Sequence, residues 1–408
     1  MAQDDNSTMY LHQYDDMYAL KYRPAIVFVA VCMLVGVVGN SLVCYVYLRK
    51  FKPSTTRCFI VTLAILDILN CSLSIPLKIV QMRYHATFGL SNFCRVSTMT
   101  VTLFSLASAG VLLPVAVDRY LKICKPFVRQ MTIFHAKAGC GAACAAALVL
   151  TIPPAIIHGP TIHSLPQANA TFCYLADGEG GTRPHLIYSC VQICLFVVTA
   201  GALVVMYTCI WHKLYKQKKA FRQRIIAGIL NTPKHNNTTR STDGTSDKGK
   251  GIRSARQSFR KVSPSTAFGD VSNSNHGFDD SSETSCSDVN DTSAKPQTRC
   301  ADKCSNIVTS TRNKASKPQS GPRALKTTFM LFIITAVFII SFLPHLILMI
   351  ASFVKSNFED SLQGAGIITY NIFLRSYFLN SAFNCIVYSF CNERFRNETK
   401  NLVVSCFR

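Results

Sequence analysis

The sequence predicts an all-α membrane protein: a seven-transmembrane helix bundle with a short amphipathic inner-surface helix after helix seven. Three observations carry this. Of 408 residues, 49% are apolar and only 16% charged. The apolar residues gather in seven runs of roughly twenty or more, the length a helix needs to cross about 30 Å of hydrocarbon. These runs are Pro24 to Leu48, Cys58 to Val80, Cys94 to Leu121, Lys137 to Ile157, His185 to Trp211, Lys326 to Val354 and Gly366 to Phe390. Finally, Lys and Arg cluster after the first, third and fifth runs, which by the positive-inside rule places those loops in the cytosol and the amino terminus outside.

Residues 1–23 are polar and acidic and lack the short apolar core and cleavage site of a secretory signal, so span one has to insert the chain. This outer tail carries Tyr10, Tyr14, Asp15, Asp16 and Tyr18, suited to recruiting a basic peptide or to sulfation; its composition predicts solvated disorder. Spans one to five occupy residues 24–220. Arg49, Lys50, Lys52 and Arg57 orient the first, Lys122, Lys125, Arg129 and Lys137 the third, and the strip Lys213 to Arg224 the fifth. A net charge of +22 would suit nucleic acid, but cations that flank apolar spans anchor to membrane lipid, so no nucleic-acid partner is expected. Span four is rich in Ala, Gly and Cys, small enough for close backbone approach. Residues 221–323 are rich in Ser, Thr, Asn, Lys and Gly without apolar periodicity, predicting a disordered cytoplasmic loop with helical extensions at both ends. Spans six and seven fill 324–390. Residues 391–408 then form the amphipathic helix and short tail, with Phe395, Leu402 and Val403 toward lipid. Cys406 is a candidate palmitate acceptor, an ordinary cytosolic thiol being the alternative.

Asp118-Arg119-Tyr120 closes span three with a fixed charge. Exposing arginine to lipid at depth costs roughly 2.5–3.5 kcal/mol even on a lenient scale, so Arg119 belongs at the inner interface or against protein. From Cys94 to Arg119 a helix rises roughly 37 Å, enough to reach headgroups on both sides. Cys94, at the outer end, and Cys173, in the outside loop between spans four and five, share an oxidising compartment. A disulfide between them would pin that loop over the bundle mouth for about 2–4 kcal/mol. Most other cysteines read as small hydrophobes within spans. The loop thiols Cys286, Cys300 and Cys304 lack the paired spacing of a zinc site. Asp67, mid-way along span two, needs polar partners, and Asn40, Ser108, Asn380, Ser381 and Asn384 are the candidates. Two readings stay open: a sodium ion or waters held beside the acid, or a protonated Asp67 in a static hydrogen-bonded knot. No other cofactor is expected. The sequons at Asn6 and Asn169 lie outside and should be glycosylated, unlike Asn236, Asn237, Asn290 and Asn397.

Gly39-Asn40, Leu63-Ala64 with Asp67, the Cys94 to Arg119 spacing, Asp118-Arg119-Tyr120, Tyr207, Phe338 to Pro344 and Asn384 with Tyr388 recur in order, one signature per span. In this the chain resembles the rhodopsin-like G protein-coupled receptors over residues 24 to 400, the long loop apart. The resemblance implies a plasma-membrane receptor without an enzymatic site. It also implies an extracellular ligand pocket and a cytoplasmic crevice that admits a heterotrimeric G protein when helix six swings out. Arg119 would be held by Asp118 at rest and turn to Tyr207 and the G protein when active, Tyr388 moving inward; Phe338, Phe342 and Pro344 belong to the moving helix. There are departures. Cys385 stands where the family has proline, so the helix-seven kink has to come from packing or polar insertion. Phe342 and Cys144 replace tryptophans, Thr199 replaces the helix-five proline, and Ala324 leaves no acid at the base of helix six to lock Arg119.

Phe378 occupies the place of the opsins' chromophore-binding lysine and Val101 that of the amine receptors' carboxylate, which disfavours light sensing and monoamines. Lys78, His345 and Arg375 leave the outer pocket net basic, suited to an anionic group or a carbonyl-rich peptide terminus. The alternative is that Lys78 and Arg375 snorkel outward or pair with Glu359 or Asp360. A strand pair around Ala170 to Tyr174, as in many peptide receptors, turns the reading toward a neuropeptide ligand. Ser258 and Ser263 follow arginines at spacings basophilic kinases accept. With so short a carboxy tail, receptor-kinase phosphorylation and arrestin docking should fall on the long loop. Two competing readings are a receptor-like ligand binder that does not signal, and a multi-pass transporter or channel. The latter would need more charged or broken mid-membrane helices than Asp67 alone supplies.

Overall fold

Among the described residues, six helical stretches are long and apolar enough to cross a membrane: Asn6–Lys50, Thr55–Arg83, Asn92–Cys124, Ile133–Ile157, Leu186–Arg224 and Leu325–Ser352. The seventh predicted span arrives in two shorter apolar pieces. The computed structural model describes residues 2–87, 91–175, 183–230, 322–355, 358 and 361–406. Most of the predicted disordered loop, with Ser258 and Ser263, lies outside the described residues, as do Glu359 and Asp360. In chain order the elements are α1 (Ala2–Lys50), α2 (Thr55–Leu69), a π turn (Asn70–Ser74), α3 (Ile75–Arg83), α4 (Ser91–Cys124), α5 (Ile133–Leu150) and α6 (Ile152–Ile157). A hairpin of β1 (His158–Ser164) and β2 (Asn169–Leu175) follows, then α7 (Arg183–Leu230), α8 (Pro322–Val354), α9 (Ala365–Leu374), α10 (Phe378–Cys391) and α11 (Glu393–Cys406).

Local chemistry sets the boundaries. Ser54 caps α2, its hydroxyl accepting from the Arg57 amide, and Thr132 caps α5 through the His135 amide. Arg57 donates to the Phe51 and Leu48 carbonyls at 2.8 and 3.0 Å, satisfying the end of α1 with a cation. The π turn precedes Pro76, which has no amide to offer its preceding turn. The core runs along the bundle axis through Val43, Phe59, Leu63, Val111, Val115, Leu203 and Phe338. Large apolar side chains such as Leu34, Val38, Val198, Val205 and Ile340 face outward, where hydrocarbon is their solvent. The Ala, Gly and Cys-rich α5 lies along α4, Gly139 meeting Pro114 and Ala143 meeting Gly110.

Three expectations are corrected. The acidic tail is helical, continuous with α1 from Ala2. Asp15 is buried, accepting from the Ala86 amide at 2.6 Å and from the Thr87 hydroxyl; Tyr18 stacks on His85 with ring centres 4.9 Å apart, and Tyr14 meets Phe172 edge-on. The tail's own composition could not repay ordering, but a partner surface on β2 and residues 84–87 does. Phe395 does not face lipid: it is 1% exposed and stacks on Tyr47, and Leu402 packs against the same core, so Val403 and Val404 are the outward apolar residues of α11. The disruption of helix seven lies at Arg375 to Tyr377, a stretch of tight i to i−3 amide bonds, and not at Cys385.

Candidate functional site

At the hairpin end, a cavity of about 510 Å³ is bounded by Val101, Thr102, Tyr188, Gln192, Phe196, Phe338, Phe342 and Tyr377. A second chamber of about 270 Å³ lies above Lys78, Gln81, His85, Asn371 and Arg375. Lys78, His345 and Tyr377 line both. Lys78 donates to Gln81 at 2.8 Å, and Arg375 donates to both the carbonyl and the side-chain oxygen of Asn371. The carbonyl of Leu374 at the helix-seven break accepts from Nδ1 of His345 at 2.8 Å, and the Ser376 hydroxyl donates to the Ser341 carbonyl. Ser341 and His345, on either side of Pro344 in α8, thus stitch that helix to the break in helix seven. The Cys94–Cys173 disulfide ties the start of α4 to β2 and holds the hairpin over this end. His85, at the chamber rim, is pushed down to about 4 by burial, the neighbouring Arg375 charge adding to the fall and Asp15 opposing it.

At the opposite end, Asp118 is fully buried. Its carboxylate accepts from Arg119 at 2.7 Å and Lys122 at 2.9 Å. Arg119 also donates to the Thr56 hydroxyl, and Lys122 to that of Thr55 at 2.6 Å. Tyr120 packs against the core from the same turn. Tyr207 and Tyr388 are buried, and their hydroxyls find no hydrogen-bond partner among the described residues. Tyr388 meets Tyr47 edge-on, and Tyr47 accepts from Asn392 at 2.7 Å.

Between the two ends sits Asp67. One of its oxygens accepts from Asn384 at 2.7 Å, and the other finds no hydrogen-bond partner among the described residues. Ser381 links the surroundings: its carbonyl accepts from Asn40 at 2.9 Å and its hydroxyl from Asn70 at 3.0 Å. The side-chain oxygens of Asn40, Asn70, Ser74, Asn380 and Asn384 are likewise buried and unmatched among the described residues, hard donors of the type that sodium takes. Ser108 is buried on α4 but joins none of these bonds.

The sequence model of the 7 transmembrane receptor (rhodopsin family) matches residues 39–388. The chain belongs to that family. Among curated rhodopsin-family relatives, it is 29% identical over 217 residues to type-1 angiotensin II receptor B of Mus musculus, covering 52% of this chain and 57% of that receptor. It is 25% identical to the C3a anaphylatoxin chemotactic receptor of Danio rerio, covering 54% and 65%, and 26% identical to neuromedin-U receptor 1 of Homo sapiens, covering 51% and 53%. The chain therefore spans between about half and two-thirds of the length of these relatives.

The rhodopsin-family position that is usually proline holds a thiol here, and its neighbours explain how. A Cβ on Gly39 would stand 2.2 Å from Cys385 Sγ, and one on Gly36 2.3 Å from Cys71 Sγ, so two thiols fill the groove along α1. Cys385 donates weakly to the Ala382 and Val35 carbonyls. Phe342 stands in an aromatic chain, 5.0 Å from Phe338 and 6.4 Å from Phe196. Pro344 lies inside α8, one residue before His345. Asn6 and Asn169 are both exposed, the latter at the start of β2. Cys406 ends α11, its side chain outside the described residues. Sequence reasoning passed over Thr55, Thr56, Asn70, Ser74, His85 and Tyr22, and read Lys122 only as a cation that orients its span. Lys122 was legible as the i+4 neighbour of Asp118, and Asn70 and Ser74 as the polar stripe after Asp67. His85 and Tyr22 carried no such signal, because only tertiary packing unites them.

Proposed function

We propose that the chain is a plasma-membrane receptor that binds a peptide at its hairpin end, facing outside, and activates heterotrimeric G proteins at its Arg119 end. The observation that carries this is the arrangement of α4. One helix is tethered by a disulfide beside a deep cavity at one end and holds a buried, clamped arginine at the other. The names of the relatives, receptors for angiotensin II, C3a and neuromedin-U, support a peptide ligand.

The mechanism follows from what each end holds. Ligand entering the cavity meets Phe338 and Phe342 on α8 and Tyr377 on the helix-seven break. Displacing α8 opens the crevice beside Tyr207. Arg119 then trades Asp118 and Thr56 for Tyr207 and the G protein, and Tyr388 supports the open form. Differential contact with the two states is what shifts the equilibrium. A sodium ion beside Asp67, held with Asn384, Asn70 and Ser74, would neutralise the acid and favour the closed packing. Arrestin and receptor kinases are assigned to the long loop, and lipid to α11. The test is nucleotide exchange on purified G protein by the full-length chain in lipid nanodiscs, driven by a peptide library. Exchange by the wild type that Arg119→Ala abolishes is the expected result; no exchange with any peptide, or none lost in Arg119→Ala, rejects the reading.

A further inference from the structure

We infer that the basic chamber at Lys78, Arg375, His345 and His85 binds a carboxylate of the activating ligand, whose apolar body fills the adjoining cavity. This deepens the receptor reading and rests on it. Neither chamber is lined by an aspartate or glutamate among the described residues. Lys78 is satisfied by a neutral amide oxygen, that of Gln81. Lys78, His345 and Arg375 line the same chamber. A partly buried ammonium met by a neutral oxygen lacks charge compensation, and an anion placed beside Lys78 supplies it. The guanidinium of Arg375 is a planar fork that matches a carboxylate, and its face lies 5.6 Å from the Tyr22 ring, which limits how it can turn. His345 has committed Nδ1 to the Leu374 carbonyl, so only Nε2 remains for a ligand. The next volume along is different in kind: Val101, Phe196, Phe338, Phe342 and Met349 make it apolar. A ligand with an acidic end and an apolar body fits that division.

The carboxylate can be a peptide's terminus or an Asp or Glu side chain, and the experiment separates them. In the first arm the solubilised, full-length receptor is unfolded thermally in succinate and in sodium chloride of equal ionic strength, without agonist. Succinate should raise the midpoint of the wild type by about 2–4 °C and leave Lys78→Gln unmoved; equal shifts in both proteins overturn the proposal. In the second arm, peptides made as matched free acids and amides are read by nucleotide exchange. Terminal recognition predicts about 100-fold lower potency for the amide and for the acid on Lys78→Gln, with the amide indifferent to that substitution. Side-chain recognition predicts that loss on Asp to Asn or Glu to Gln replacement in the peptide. Potency that survives all three changes overturns the inference. If no peptide activates the wild type, the receptor reading fails while the first arm still decides the chamber.

Discussion

Besides Asp15 under the hairpin, two carboxylates, Asp67 and Asp118, are buried among the described residues of the bundle, and their charges are provided for in opposite ways. Asp118 faces two cations, each tied in turn to a threonine hydroxyl of α2. Both cations meet the same oxygen of Asp118, and each carboxylate leaves its other oxygen unmatched among the described residues; the difference is that Asp67 faces no cation within ion-pair distance there, only the amide group of Asn384. A charge paired with cations is at rest, whereas one met by a neutral amide alone in a low-dielectric interior demands a proton or an ion. The first is a closed clamp that has to be broken to act; the second is a receptacle that something has to fill.

The largest expected effect comes from breaking the clamp. Asp118→Asn leaves Arg119 and Lys122 without their anion and should lower stability by roughly 3–5 kcal/mol while raising agonist-free nucleotide exchange. Thermal unfolding and basal exchange measure the two effects, and unchanged values in both would erase the contrast. Next, sodium at a concentration about ten times its dissociation constant should raise the unfolding midpoint by about 2–4 °C over choline. Asp67→Asn should abolish that difference without reproducing the loss seen for Asp118→Asn.

A third case, at the hairpin end, sharpens the comparison because its group is buried as a neutral base. His85 has its folded value lowered to about 4 against an ordinary value near 6.5. The undocked form therefore takes up a proton first, so docking of residues 14–22 on the rim should be unaffected above about pH 6.5 and weaken as pH falls toward 4. The charged and titratable groups facing His85 are Asp15, Arg375, Tyr18 and Tyr22. Amide exchange at residues 14–22 should quicken at pH 5.5 relative to 7.5, corresponding to roughly 1 kcal/mol. The smallest effect belongs to the exposed Lys326–Glu393 pair, 3.1 Å apart. Lys326→Ala should change stability by less than about 0.5 kcal/mol, since solvent screens such pairs.

How much of this was legible in the sequence follows the range of the interactions. Spans were legible because hydrocarbon thickness imposes a length and a composition that the chain has to satisfy locally. Asp118, Arg119 and Asp67 were legible because charge in an apolar run announces itself. The Cys94–Cys173 link was legible from the place of both cysteines on one side of the spans, and the strand pair from the family resemblance alone. Non-local partnerships were not. The tail reads as disordered because what orders it, His85 and Phe172, lies far along the chain. Phe395 reads as a lipid-facing residue until Tyr47 is brought beneath it. The break at Arg375 was hidden because no proline or glycine marks it; it is held open by His345, Asn371 and Ser341 accepting or donating across it.

Arg375 holds a backbone carbonyl of its own helix, that of Asn371. Any group that draws the guanidinium toward itself therefore tugs on main chain, at the weakest joint of the seventh span. From there to Asn384 the helix rises roughly 14 Å, so a pull at the rim is delivered by a stiff rod to the amide that steadies Asp67. Side chain, joint and rod together make a lever whose handle is the basic chamber.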